Sequence, residues 1–423
     1  MDWLHWSTGG AIAPWRVHER THLYAMRLMP PGPHGAMHVV VLCVHALAAH
    51  CSTSSRSLAT TMQFSLYYFA NQDTADHERD KYRLIQDSAV WADQHGFARL
   101  WMPERHFHSF GGLSPNPSLL CAALAARTER IQLCAGSVVL PLHDPIRVAE
   151  EWAVVDNLSN GRIGLGVACG WVPNDFVIGN NQDKFDRRKE VFAESIETLR
   201  KLWRGESHRV LNPQGEEVLI RTLPRPVQKD VPLWITVAGN PETFRMAGRL
   251  GANILTHLLG QTLEGLGDKI AEYHEAWRQA GHPGRGTVTL MLHTFVGEDD
   301  NEVHDLVRGP MKRYLHGSLS LASAHICSVP FLQNAQNIDL ANVTPEDVDL
   351  VLDASFEKYF HMSGLFGSHG KCLDMIDKVE AVGVDEVACL IDYGVAPDVV
   401  LASLEHLNVV RILANPRVGA LVR

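Results

Sequence analysis

The sequence predicts an α/β fold, a (β/α)8 barrel with insertions, and three observations carry that prediction. Short apolar runs alternate with segments of helical period from residue 62 onward, with short links, which implies parallel strands joined by right-handed crossovers. Eight such runs occur, the number that closes a barrel of this kind. No GxGxxG turn follows the first of them, which disfavours the rival, an open doubly wound sheet.

The first strand is Gln63–Phe69, followed by a helix over Arg79–His95 that Gly96 ends. Strand Ala98–Met102, helix Asn116–Arg127, strand Ile131–Leu140 and helix Pro145–Leu158 continue the alternation. The fourth strand, Arg162–Ala168, belongs to the stretch GRIGLGVACGWVPNDF (Gly161–Phe176) and breaks into a bend carrying Cys169, Gly170 and Trp171. Its continuous apolar run marks a strand buried on both faces. Gly164 and Gly166 within it fit either a tight packing point or the close approach of a flat ligand, and both readings stand. A helix spans Asp186–Trp203, and residues 208–229, built around Asn212-Pro213-Gln214-Gly215, read as a hairpin insertion. Strand Leu233–Val237, helix Pro241–Leu250, strand Ala252–Thr256, helix Leu263–Ala280 and strand Val288–Val296 resume the rhythm. After a helical stretch beyond Asp299, residues 319–360 have weak periodicity and read as a lid insertion over the substrate mouth. Helix His369–Val382, strand Glu386–Asp392 and helix Pro397–Leu407 complete the barrel.

Of 423 residues, 46% are hydrophobic and 20% charged, the balance of a globular chain. A net charge of −10 without a Lys/Arg block excludes non-specific nucleic-acid binding. The eight cysteines show no CxxC spacing, so neither a zinc site nor a disulfide framework is expected, and a reducing cytoplasm fits. The apolar run Val39–Ala49 is too short to span a membrane. Residues 1–61 read as a poorly ordered N-terminal extension, upstream of a native start at Met62, and 62–423 as the catalytic domain.

In such a barrel the residues just past each strand form the site. Here they include Glu104-Arg105-His106, His143, Cys169 to Trp171, Gly239-Asn240, His257 and Tyr393. Glu104, Arg105 and His106 are the candidate catalytic group, and His143, His257 and Tyr393 the candidate substrate contacts. Glu104 has a second reading, a structural anchor paired with Arg105 or Arg99, and His106 has one as a structural histidine. No i, i+4 pairing or dense carboxylate company points to a metal. Ala238-Gly239-Asn240 with Thr243 make a strand, tight turn and helix start, suited to a phosphate or simply to an Asn cap.

WMPERHF (Trp101–Phe107), AGSVVLPLHDPIRVAEEWAVVDNLSNGRIGLGVACGW (Ala135–Trp171) and TVAGNPETF (Thr236–Phe244) resemble the bacterial-luciferase-like flavin monooxygenases. The resemblance runs from Met62 to about Ile412. GVACGWVPNDF (Gly166–Phe176) and the run Ala238–Gln261 are similar to the branch associated with polyketide and nonribosomal peptide assembly lines. The resemblance implies a luciferase-like TIM barrel whose reduced FMN, supplied by a separate flavin reductase, reacts with O2 to give a C4a-peroxyflavin. The product is an oxygenated biosynthetic intermediate, free or tethered to a carrier protein, by hydroxylation or Baeyer–Villiger insertion. It further implies a flavin slot at Gly136, Ser137, Ala168, Cys169, Gly170 and Trp171, a cis Gly136–Ser137 peptide, the phosphate on Ala238, Gly239, Asn240 and Thr243, and a homodimer. One departure stands out: the two-histidine version of the strand-two motif has His where this chain has Arg105. The alternatives are a deazaflavin-dependent oxidoreductase of the same fold and a flavin-binding protein that has lost catalysis.

Overall fold

The computed structural model describes residues 61–69, 80–324 and 344–415. The expected N-terminal extension, apart from Thr61, and residues 325–343 of the expected lid lie outside them. In chain order the first half comprises β1 (Gln63–Tyr67), α1 (Arg83–Gln94), β2 (Arg99–Met102), α2 (Pro117–Ala125), β3 (Gln132–Val139), α3 (Pro145–Leu158), β4 (Ile163–Ala168) and α4 (Arg188–Arg204). A hairpin of β5 (His208–Leu211) and β6 (Glu217–Ile220) follows. Then come β7 (Leu233–Val237), α5 (Pro241–Arg249), β8 (Asn253–His257), α6 (Leu263–Gln279), β9 (Val288–Gly297) and α7 (Asp300–Ala324). The remainder is α8 (Pro345–Lys358), β10 (Leu365–Ser368), α9 (His369–Ala381), β11 (Glu386–Leu390) and α10 (Pro397–Ala414).

β1, β2, β3, β4, β7, β8, β9 and β11 pair in parallel in that order, and β11 returns to β1, so the sheet closes into the expected eight-stranded barrel. Local chemistry starts many of the helices. Asn116, Asp144 and Asn240 each precede a proline at the first helical position, and each side-chain oxygen accepts a hydrogen bond from an amide of the first turn. Thr344-Pro345 adds a reciprocal capping box with Asp347.

Register then separates two faces. Leu66, Leu100, Leu133, Leu165, Ile235, Ile254, Leu290 and Val387, one from each barrel strand, are wholly buried on one face. The lumen side is polar and aromatic. Glu386, fully buried, accepts hydrogen bonds from Ser65 Oγ, from Trp101 Nε1 (3.1 Å), from Arg99 Nη1 (2.6 Å) and from Thr289 Oγ1 (2.8 Å). Arg99 also donates to Gln63 (2.8 Å) and Gln132 (2.8 Å), and its guanidinium lies 5.1 Å from the ring centroid of Trp234. Trp101 and Trp234 meet edge to face at 5.3 Å. These groups fill the barrel at its amino-terminal half.

Three local features add to the sequence reading. Gly164 and Gly166 answer to packing: a Cβ on Gly164 would lie 2.7 Å from Cys134 Sγ and 3.0 Å from Trp234, and one on Gly166 would strike the Ala135 carbonyl. β10, which extends the pairing of β9 at Thr294 to Gly297, is too short a run to show a period. The described part of 319–360 is mostly helix: α7 reaches Ala324, and α8 binds α7 through Lys312 to Asp349 (2.7 Å) and Asp353 (2.8 Å) and buries Leu352 and Phe356.

Replacing Glu386 with Ala leaves Arg99 without its buried counter-charge and Trp101 without its acceptor. The expected loss is about 3 kcal/mol or more of unfolding free energy, measured by urea titration. A loss below about 1 kcal/mol would show that the lumen network does not hold the barrel.

Candidate active site

The lumen is filled from below and small-walled above. Gly136 on β3, Ala168 at the end of β4 and Ala238 just past β7 stand on neighbouring strands, and Ala168 and Ala238 keep solvent exposure. A Cβ on Gly136 would lie 3.0 Å from Tyr67 and 3.2 Å from Trp101, so a larger side chain there would press on both rings. The Gly136–Ser137 peptide is cis, as the family resemblance implied, and the Tyr67 hydroxyl donates to the Gly136 carbonyl. Burial holds that phenol well above its ordinary range.

Past β2, the sequence Pro103-Glu104-Arg105-His106 leaves the barrel. Glu104 is 7% exposed, and its Oε1 accepts from His106 Nε2 (2.8 Å) and His143 Nε2 (2.6 Å). Its Oε2 accepts from the Val139 amide (2.6 Å). The carboxylate therefore joins the ends of β2 and β3, pairing with neither Arg99 nor Arg105, contrary to the anchor reading. Burial raises the pKa of Glu104, but the bonds from His106, His143 and Val139 outweigh it, and the net shift is downward. Burial likewise lowers His143, yet the carboxylate prevails and its pKa ends raised. With Nε2 of both rings turned to the carboxylate, Nδ1 of a neutral ring remains the acceptor.

Arg105 takes a different course. Its half-buried guanidinium lies 5.7 Å from the ring centroid of Phe69 and 5.5 Å from that of Trp171, and its buried Nε has no hydrogen-bond partner among the described residues. Phe69 packs on Phe110 (4.4 Å) and Tyr314 (5.7 Å). Tyr314, Tyr359 and Tyr393 surround His293 at 4.9, 5.0 and 6.1 Å. Burial pushes His293 down to about 3 and His257 down to about 4, so both are neutral imidazoles at neutral pH. The Leu259 amide donates to His257 Nδ1 (3.1 Å), which puts the proton of that neutral ring on Nε2.

On the β7 side, Gly239 has φ +125, a conformation side chains rarely adopt, and Asn240 caps α5 by accepting from the Glu242 amide (2.9 Å). Gln261 and Lys269 adjoin this turn: a Cβ on Gly239 would lie 3.4 Å from Gln261 Oε1 and 3.7 Å from Lys269 Nζ, and Lys269 donates to Gln261 (2.8 Å). A backbone turn at a helix start beside an ammonium is suited to an anion.

The structure thus brings Glu104, His106 and His143 into one bonded cluster and sets Gly136 beside Tyr67. Cys169 is half-buried with its thiol raised by burial, and Thr243 sits in the first turn of α5. Tyr393 is wholly buried, its hydroxyl pointing to the Thr294 carbonyl (3.4 Å). Lys269, His293 and Tyr314 escaped sequence reasoning. For His293 the signal was present, because it shares the lumen parity of Thr289 and Met291 on β9. Lys269 and Tyr314 lie on helices, where no strand-end rule finds them. Among the described residues no His/Cys/Asp/Glu cluster suits a metal ion.

Glu104 contributes stability above the unfolded glutamate pKa of about 4.3 and loses it as pH falls through its lowered folded value. His143 contributes below the unfolded histidine pKa of about 6.5 and loses it as pH rises through its raised folded value. Glu104→Gln should therefore destabilise most near pH 5.5, by about 2 kcal/mol, and less at pH 8.5. Urea unfolding at both pH values checks this, and a penalty independent of pH would contradict the pairing.

The sequence model of the family described as luciferase-like monooxygenase matches residues 62–386. The chain is 25% identical over 356 residues to the oxygenase component of a flavin-dependent trigonelline monooxygenase from Acinetobacter baylyi, covering 82% of this chain and 93% of that protein. It is 32% identical over 238 residues to 4-hydroxyprotoasukamycin monooxygenase from Streptomyces nodosus subsp. asukaensis, covering 53% of this chain and 62% of that one. Among solved structures, the oxygenating constituent of 3,6-diketocamphane monooxygenase from Pseudomonas putida, a type II Baeyer–Villiger enzyme in complex with FMN, superposes with a TM-score of 0.66 at 20% identity, over 84% of this chain and 98% of that one. An F420-dependent secondary alcohol dehydrogenase shares the fold at a TM-score of 0.57 and 17% identity, over 81% of this chain and 99% of that one. On the extent of the family match, the chain belongs to the luciferase-like monooxygenases.

Proposed function

We propose that the barrel mouth holds FMN, delivered reduced by a separate flavin reductase, and that the enzyme oxygenates a natural-product intermediate with O2. The observation that carries this reading is the wall of Gly136, Ala168 and Ala238, set between the Gly239–Lys269 turn on one side and the Glu104 cluster on the other. A planar ring system needs such a wall, and its phosphate needs such a turn. Ala238, Gly239, Asn240 and Thr243, with Lys269, would hold the phosphate, and Gly136, Ser137 and the Ala168 to Trp171 bend would line the ring. Bound in reduced form, FMN supplies the electrons that activate O2. This chain's own residues then bind, exclude water and manage protons. His106, held by Glu104 through Nε2, can take or give a proton at Nδ1, and the same carboxylate keeps His143 in place. The aromatic surround of Phe69, Phe110 and Tyr314 keeps water from the oxygenating centre. Similarity to monooxygenases named for trigonelline and for 4-hydroxyprotoasukamycin supports a biosynthetic substrate, free or carrier-tethered, oxygenated by hydroxylation or Baeyer–Villiger insertion.

Gly239→Leu should weaken FMN binding by about tenfold or more, roughly 1.4 kcal/mol per decade, in a fluorescence titration. Unchanged affinity would refute the phosphate placement. Tighter binding and hydride exchange with reduced F420, and none with FMN, would favour the deazaflavin alternative. His106→Ala should bind FMN normally yet form oxygenated product about a hundredfold more slowly, with hydrogen peroxide released instead. Wild-type yield of product per O2 consumed in that variant would leave His106 structural.

A further inference from the structure

We propose that Arg105 recognises a carboxylate on the substrate, so that the enzyme acts on an organic acid with an apolar body; this rests on the oxygenase reading above. The guanidinium is half-buried between the faces of Phe69 and Trp171, and its buried Nε has no hydrogen-bond partner among the described residues. Among the described residues no carboxylate lies within ion-pair distance of it. Glu104, its neighbour in sequence, is committed to His106, His143 and the Val139 amide, and together with Asp175 it attracts the guanidinium only from farther off.

A cation taken partly out of water, held between ring faces and with no carboxylate within ion-pair distance among the described residues, is incompletely compensated. Its planar fork of donors matches the two oxygens of a carboxylate, which a neutral group cannot replace. The flavin phosphate has a separate place suited to it, the Gly239–Asn240 turn with Lys269, reached from β7. Arg105 stands instead past β2, next to the Glu104–His106 pair and at the edge of the Phe69, Phe110 and Tyr314 rings. An anionic head on the guanidinium would lay the apolar part of the same molecule along those rings.

The test titrates FMN-loaded protein with 3-phenylpropionate and indole-3-acetate, and with their primary amides, by calorimetry. Wild type should bind the acids about tenfold or more tightly than the amides. Arg105→Gln should erase that preference and Arg105→Lys keep part of it, while both variants retain FMN. Equal binding of acid and amide, no saturable binding of either to wild type, or an acid preference that survives Arg105→Gln would each overturn the proposal. So would an Arg105→Gln protein that loses affinity for FMN but not for riboflavin, since the guanidinium would then serve the flavin phosphate; the oxygenase reading would survive that result. A wild-type protein that fails to bind FMN at all removes the reading and the proposal together. Should Arg105→Gln not fold, the acid-to-amide ratio of Arg105→Lys against wild type decides.

Discussion

A single buried carboxylate, Glu386, fixes how the barrel closes. It sits in the lumen at the start of β11 and takes its donors from β1, β2 and β9, so it spans the seam where the last strand meets the first. A charge in that place is tolerated only if its partners arrive with it. Ser65, Arg99, Trp101 and Thr289 must therefore face the lumen, and the registers Glu386 to Gln63 and Glu386 to Thr289 follow. A slip of one residue in β11 would turn Glu386 onto the aliphatic face and Val387 into the lumen.

That register propagates upward. With Trp101 and Trp234 filling the lower lumen, the lumen positions nearer the carboxyl ends are Gly136, Ala168, Thr236, His257, Met291 and His293. Above the indoles the lumen wall turns to small residues, and Gly136 lies against Trp101. Closing the barrel and opening its mouth are thus the same packing decision.

The mouth divides its chemistry by side. The β2 and β3 ends contribute a hydrogen-bonded acid and two histidines, in which one carboxylate sets the ring orientation of both. The β9 side contributes neutral His293 among tyrosines, and the β7 side an amide turn beside an ammonium. Two kinds of electrostatics result: Glu104 lies low because donors crowd it, and the histidines of β8 and β9 lie low because burial disfavours their charged form.

The sequence by itself determined what depends on neighbours along the chain. Strand and helix periods, the Asn116-Pro117, Asp144-Pro145 and Asn240-Pro241 helix starts, and the placement of Glu104, His106 and Gly239 just past strands were all legible, because period and capping act within a few residues. The Thr344-Pro345-Glu346-Asp347 cap was equally local and was passed over inside a stretch read as lid. Only the tertiary structure decided which distant groups meet. It joined Glu104 to His143 rather than to an arginine, gave Arg99 to Glu386, set Lys269 beside Gly239, and showed Gly164 yielding to Cys134 and Trp234. Each of these contacts crosses between strands or between a strand and a helix far apart in the chain, where closure of the barrel, and no local preference, selects the partner.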